Sequence, residues 1–471
     1  MSASTERKNR VAARAAGTDK KQLAQQEAEK KAAVSKRRWI IGSIAVVLFI
    51  ALIIFLNSPL MYRITTAETV GDKDFSPAEV KFARANVNYN AYSSYFGEEY
   101  ANSVVEENLK QTSALLKLAE DEGITLTETE KAAIDESLSR LPETAKQYHV
   151  SINRYISEIY GKGVNQALLR RCMEESILAT KVSYAHFCGL DFDDEAIQNR
   201  RAELGADGKV YDYAVYTIAV DDTHTEEEVK AEAEALVMSF KDGEGDDYVV
   251  RLNDILAEEY PDAAAEVTTG MPGSSLDQSY RDWLEGDRAE GDIFPARSLN
   301  GDAYSVVLFL GSAEDDETTA AVRHILIKAE AAEDGSYSDE AKAEAKARAE
   351  ELLATWEAGD KTELEFATLA YLYSDDTGSN SNGGLYSVVR PGEMVEEFDR
   401  FCFENHQYGD TAIVYGESDT YAGYHIMFFV RAEAAGDASA REALANEAMD
   451  NWYKEITEGL EPVYHWAYKL V

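Results

Sequence analysis

Residues 319–328, TAAVRHILIK, decide the fold, because the chain has already run through a similar pattern at 211–220, YDYAVYTIAV. Both stretches are β-branched and aromatic, which suits a strand, and each is followed by a charged, Ala-rich segment that suits a helix. Each then reaches an aromatic-rich helix, a Gly-Asp pair and a hairpin-like return strand. In the first copy these are Tyr280 and Trp283, Gly291-Asp292, and 304–310; in the second they are Phe398 and Phe401, Gly409-Asp410, and 424–430. The aromatics stand 11 and 8 residues before the glycine in both copies. Equal offsets of this kind point to two copies of one α/β unit of roughly 110 residues, placed at 205–313 and 319–432.

Working outward, residues 60–204 read as mostly helical. Ser76-Pro77-Ala78-Glu79 is a capping box with proline at the first helical position, so a helix is predicted to begin at Pro77. A second box, Thr127 to Glu130, follows a break at Gly123. Leu109, Leu115, Leu116 and Leu118 suit a buried helical stripe, and further helices are predicted at 150–160 and 165–187. Residues 67–70 running into Gly71-Asp72 suggest a short strand and turn. Beyond the second copy, 433–471 holds a helix over about 436–458. Its aromatic tail, Tyr464-His465-Trp466-Ala467-Tyr468, is expected to dock with the helix on the helical domain.

Upstream lies a sharp change of character. Residues 39–56, WIIGSIAVVLFIALIIFL, carry no charge. At 1.5 Å per residue they span ~27 Å, close to the ~30 Å hydrocarbon core of a bilayer. Lys36, Arg37 and Arg38 precede them, Asn57, Ser58 and Pro59 follow, and no small-x-small cleavage site comes promptly after. An uncleaved transmembrane helix is therefore expected rather than a signal peptide. The tail 1–38 holds 11 basic and 4 acidic residues, net +7, so the positive-inside rule puts it in the cytoplasm and residues 60–471 outside.

Of 46 basic and 87 acidic residues in the whole chain, 35 and 83 fall after residue 38, a net of −48. Such an acidic body repels phosphate backbones, which excludes nucleic acid as a partner. Cys172, Cys188 and Cys402 are too few for a disulfide framework, and their spacing fits no zinc site. Cys172 and Cys188 could pair in an oxidising compartment, but small core residues are the expectation for all three. The acidic run Asp193, Asp194, Glu195 has no calcium-loop spacing and reads as a helix start. No metal and no cofactor are implied.

Over about 112 residues the second copy resembles the parvulin family of peptidyl-prolyl cis-trans isomerases. The matching pieces are Val322 to Lys328, Phe366 to Ala370, Tyr373 to Ser379, Asn382-Gly383-Gly384, Gly392-Glu393-Met394 with Phe398, and Gly423 to Ile426. The order of these pieces is more specific than any one of them. The resemblance implies a four-stranded antiparallel sheet flanked by helices (βαααβαββ), with His324 and His425 side by side on neighbouring central strands as catalytic residues. It also implies Asp376 as the polarising anion, with the adjacent Asp375 as a possible confusion. Met394 and Phe398, at i and i+4 on one helix face, match the proline socket, and Tyr386 lies in its wall.

Two departures stand out. The hydroxyl residue expected near the second histidine is Ala422, and the Asp-Leu-Gly expected after Gly384 is Leu385-Tyr386-Ser387. Lys328 matches a phosphate-binding position of phospho-specific parvulins, but the following loop is acidic, so phospho-selection is not expected. In the first copy, aligned on the strands, Thr217 replaces His324 and Ser305 replaces His425, so that copy is expected to bind extended polypeptide without catalysis.

The order of helical region, parvulin units and terminal helix is similar to the layout of the bacterial PrsA foldase and SurA chaperone families. The expected fold is thus α+β: a transmembrane helix, a helical chaperone-like domain, two parvulin-like units with the first degenerate, and a C-terminal helix. The implied function is a prolyl isomerase and chaperone outside the cytoplasmic membrane, acting on unfolded or newly secreted polypeptides containing X–Pro bonds. The alternative is a non-catalytic anchored holdase or scaffold.

Overall fold

The computed structural model describes residues 3–17, 20–56, 58–243, 245 and 247–471. Asn57 and residues 1, 2, 18 and 19 of the basic tail lie outside the described residues. The chain divides into two compact units.

The smaller unit comprises Met1–Ser113, Leu138–Met173 and Gly459–Val471. Its helix Lys20–Leu56 contains the stretch Lys36–Phe55, long and apolar enough to cross a membrane and unburied throughout. Strands β1 (Glu68–Val70) and β2 (Lys73–Phe75) form a hairpin across Gly71, whose φ of 57° is the left-handed conformation a tight turn demands. The terminal strand Val463–Tyr464 adds to the other edge of β1. Helix Pro77–Asn86 starts where predicted: Ser76 accepts from the Glu79 amide, and Glu79 Oε2 accepts from the Ser76 amide at 2.8 Å. Val70, Phe75, Val80, Val105 and Leu109 fill the core, with Tyr468 and Val471 of the tail packed against it.

The larger unit comprises Ala114–Ser137 and Glu174–Glu458 and contains both copies. The first copy is built on β3 (Lys209–Ala219), β4 (Glu266–Pro272), β5 (Ile293–Arg297) and β6 (Ala303–Glu314). The second is built on β7 (Thr318–Lys328), β8 (Leu385–Val389), β9 (Thr411–Ser418) and β10 (Tyr421–Ala434). Strand order is β4-β3-β6-β5 in one sheet and β8-β7-β10-β9 in the other, antiparallel throughout. The two topologies are the same.

The central strands β7 and β10 carry apolar residues on both faces because both faces are covered. Ile325, Ile327, Ile426 and Phe428 pack under helices Asp339–Ala358 and Glu363–Tyr373, with Trp356 and Phe366 in the same core. Val322, Met427 and Phe429 face helix Glu396–Phe403 through Phe398, Phe401 and Cys402.

Registers locate equivalent residues and correct one expectation. A bulge interrupts the central pairing in both copies, between Phe309 and Gly311 opposite β3 and between Phe429 and Arg431 opposite β7. Matching the bulges, Ser305 does take the place of His425. However, Val215, paired with Val307, takes the place of His324, paired with Met427. Thr217 stands two residues further on, where the second copy has Leu326. Sequence alone could not fix this, since a two-residue slip preserves the facing of every side chain.

Helix Ala435–Thr457 belongs to the larger unit, where Trp452 stacks on His186 at 4.1 Å between ring centres. Cys172 and Cys402 are buried and Cys188 half-buried, and none of the three is in a disulfide. Among the described residues no group of His, Cys, Asp and Glu is placed to hold a metal ion.

Candidate active site

β7 and β10 are the two central strands, and they bring the two histidines to one face. His324 pairs across to Met427, and His425 to Leu326, so the imidazoles are diagonal neighbours. Their Nδ1 atoms lie 3.0 Å apart, and both side chains are almost wholly buried. His324 Nε2 lies 2.8 Å from Asp376 Oδ2 and 3.0 Å from Ser379 Oγ. Ser379 donates to the same carboxylate oxygen at 2.5 Å, and the Tyr386 hydroxyl donates to it at 3.1 Å. On the other ring, His425 Nε2 lies 2.9 Å from the Tyr421 hydroxyl.

Donor order follows from the ends of this chain. An ionised carboxylate only accepts, so His324 presents its Nε2–H to Asp376, and one of the two facing Nδ1 atoms donates to the other. His425 Nε2 and the Tyr421 hydroxyl share the last bond of the network. Bonding to His324, with Ser379 and the Gly378 amide adding to it, holds the Asp376 carboxyl well below its ordinary pKa. Burial above all, and then the neighbouring His324 ring, pull the His425 pKa from 6.5 down to about 3. Burial and the Asp376 charge push the Tyr386 hydroxyl up to about 12, so it remains a donor.

Above the pair, Phe398 meets both imidazoles edge-on, 5.4 Å from His324 and 5.3 Å from His425 between ring centres. Tyr386 lies 5.2 Å from His324 and 6.2 Å from Phe398. Met394 packs against the same cluster. Met394 is not on the helix face with Phe398, however. The helix begins at Glu396, after a turn through Pro391 and Gly392 whose glycine has a φ of 83° and donates its amide to Asp399 Oδ1 at 2.7 Å. The i, i+4 spacing was a turn lying against a helix.

The two adjacent aspartates separate cleanly. Asp376 holds His324, while Asp375 Oδ2 accepts from the Lys328 amide at 2.9 Å and so ties the loop to the end of β7. Two residues of the hydrogen-bonded network escaped the sequence reading. Ser379 is buried in the hydrogen-bonded network, and its place in the Ser-Asp-Asp-Thr-Gly-Ser run was the available signal. Tyr421 supplies, from the residue next door, the hydroxyl that Ala422 lacks. Close backbone approach completes the site. A Cβ on Gly416 would lie 2.6 Å from His425 Nε2, and one on Gly384, at φ 72°, would lie 2.1 Å from the His324 carbonyl oxygen. Neither position tolerates a side chain without a shift.

This sheet, paired imidazoles and aromatic lid coincide with a family match. Residues 304–430 match the family model described as the PPIC-type PPIASE domain. The second copy is similar to that domain from β7 into β10. Chaperone SurA of Methylococcus capsulatus is 30% identical over 39% of this chain and 37% of its own length. Chaperone SurA of Burkholderia lata is 27% identical over 49% and 51%, and foldase protein PrsA 1 of Listeria innocua 31% identical over 27% and 35%. The chain thus spans about a third to a half of the length of the curated relatives it matches. A crystal structure of PrsA from Bacillus cereus is similar at 14% identity over 86% of this chain and 96% of its own, with a TM-score of 0.19.

Proposed function

We propose that this protein is a membrane-anchored peptidyl-prolyl cis-trans isomerase and chaperone, acting outside the cytoplasm on unfolded or newly secreted polypeptides. His324, His425 and Asp376 form the catalytic floor, and Met394, Phe398 and Tyr386 the proline socket. The observation that carries the reading is the buried imidazole pair 3.0 Å apart beneath Phe398. The apolar helix at 36–55 is the proposed anchor, and the basic residues on its N-terminal side favour a cytoplasmic position for that end.

The reaction sets what such a site must do. Resonance gives the X–Pro amide a barrier of about 18–20 kcal/mol, and unassisted isomerisation takes tens to hundreds of seconds. The protein must bind the twisted amide better than either planar form. Phe398, Met394 and Tyr386 hold the pyrrolidine ring in an apolar slot, which fixes one side of the rotating bond. The imidazoles and the Asp376 charge beneath it give the carbonyl side a preorganised polar surface. No bond is made or broken, so the histidines serve by dipole and hydrogen bond rather than by net proton transfer.

The test is a protease-coupled assay with a proline-containing peptide on the full chain. Catalysis above the buffer rate that is lost in His324→Ala and His425→Ala is expected. A wild-type rate equal to buffer would refute the isomerase and leave the holdase.

A further inference from the structure

The loop that presents Asp376 and Ser379 to His324 ends in a single 3₁₀ turn, Asn380–Asn382, followed by Gly383 and Gly384. Small polar residues and two glycines give such a segment many alternative conformations. Here four successive carbonyls are held by just two side chains. Tyr184, on helix Gln166–Cys188, donates its hydroxyl to the Ser381 carbonyl at 2.8 Å, with the Asn380 carbonyl at 3.4 Å. Arg323 Nη1 donates to the carbonyls of Asn382 and Gly383 at 2.9 and 3.0 Å.

Arg323 is itself fixed. It is 1% exposed, its Nε bonds Glu363 Oε1 at 2.8 Å, and its Nη2 reaches Cys188 Sγ at 3.7 Å. Being adjacent to His324 on β7, it points to the opposite face of the sheet. The strand that carries the first imidazole therefore also carries the clamp on the loop that orients it. His324 and the loop are tied again by the His324 amide donating to the Gly384 carbonyl at 2.8 Å.

We propose that Tyr184 and Arg323 are positioning residues for the isomerase site, locking residues 376–384 so that Asp376 and Ser379 share Nε2 of His324. Through Tyr184 the helix Gln166–Cys188, outside the parvulin fold, sets the geometry of the catalytic pair. This rests on the isomerase reading for its kinetic consequence, but not for its spectroscopic one.

The experiment uses the full chain with ¹⁵N-labelled histidine. Tyr184→Phe keeps the ring and removes only the hydroxyl. Loss of one hydrogen bond predicts a fall in kcat of about fivefold with KM unchanged. The His324 Nε2–H resonance should shift or broaden as its bond to Asp376 loosens. Adding Ser379→Ala to Tyr184→Phe should lower kcat by less than it does in the wild type, because both act on one ring nitrogen. Arg323→Lys should show the same imidazole signature more strongly, since an ammonium cannot reach both carbonyls and Glu363. A Tyr184→Phe protein with the wild-type His324 resonance overturns the proposal whatever its activity. So do independent, multiplying effects of Tyr184→Phe and Ser379→Ala. A wild type without isomerase activity but with the imidazole shift in Tyr184→Phe would uphold the positioning and sink only the isomerase.

Discussion

Acid should loosen this domain through His425 in particular, and by a calculable amount. The ring is enclosed by Phe398, Tyr421 and His324, and its pKa falls from 6.5 to about 3. The unfolded chain therefore takes up a proton at His425 well before the folded one does. A group with a depressed folded pKa that is neutral when deprotonated contributes its stability fully above the unfolded pKa, near 6.5, and loses it as pH falls toward 3. Each pH unit in that window costs about 1.4 kcal/mol, so about 2 kcal/mol is lost between roughly pH 7.5 and pH 5. Other groups titrate too, so the quantity to measure is a difference of differences. Urea unfolding of the larger unit is compared at both pH values for wild type and His425→Asn, whose amide still offers His324 a donor. The variant should lose about 2 kcal/mol less on acidification. Equal acid losses in the two proteins, or a ¹⁵N titration placing the His425 inflection near 6.5, would refute the reasoning.

Three further outcomes follow from the same geometry. Gly416→Ala sets a methyl 2.6 Å from His425 Nε2 and 3.1 Å from the Tyr421 hydroxyl, so the ring must move. Peptide assays should show kcat down by more than about tenfold, and unfolding a loss of about 1–3 kcal/mol. Met394→Ala thins the socket without touching the imidazoles, and should raise KM about tenfold while kcat stays within about twofold. In the smaller unit, burial first and then the Glu106 charge raise the Glu68 pKa from 4.5 to about 7. Folded Glu68 holds its proton longer than unfolded Glu68, so its neutral form favours the folded state at acid pH, and stability falls as pH rises from about 4.5 to about 7. Glu68→Gln should flatten that part of the unit's melting-temperature profile, and an unchanged profile would remove the cause assigned here.

Much of the fold was legible because it was written twice. Equal offsets from Tyr280 and Phe398 to their Gly-Asp pairs revealed the repeat, and the capping boxes at Ser76 and Thr127 fixed two helix starts within a residue. What stayed hidden was of two kinds. Register within a strand could not be read, since sliding by two residues leaves the same faces buried, and that is why Thr217 stood in for Val215. Side-chain hydroxyls were the other. Ser379 and Tyr421 find the imidazoles only after a loop and a hairpin have closed; the matched run pointed at most to Ser379, and nothing in the spacing separates Tyr421 from the hydroxyl of Thr420. The socket fell between these cases: Phe398 was legible from its aromatic helix, while the turn before Glu396 concealed how Met394 arrives beside it.

The two copies together bear on why the imidazoles are there. Both anchor the return strand in one way: Gly291 donates to Phe309 and Phe309 to Asp292, as Gly409 donates to Phe429 and Phe429 to Asp410, all at 2.8–2.9 Å. Both place a bulge at the same point of the central pairing. Yet the first copy builds its sheet with Val215 and Ser305 where the second has His324 and His425. There Ser305 meets Thr217 at 2.9 Å, and Tyr280 approaches Tyr213 at 5.7 Å between ring centres. The fold therefore does not require the histidines. Burying two imidazoles against each other, with one pushed down to about 3, opposes folding at acid pH, and in the first copy a valine at one of the two places avoids that cost. That is the pattern the proposed isomerase site calls for: a buried polar pair that the architecture can do without, beneath Phe398, which lies against both rings.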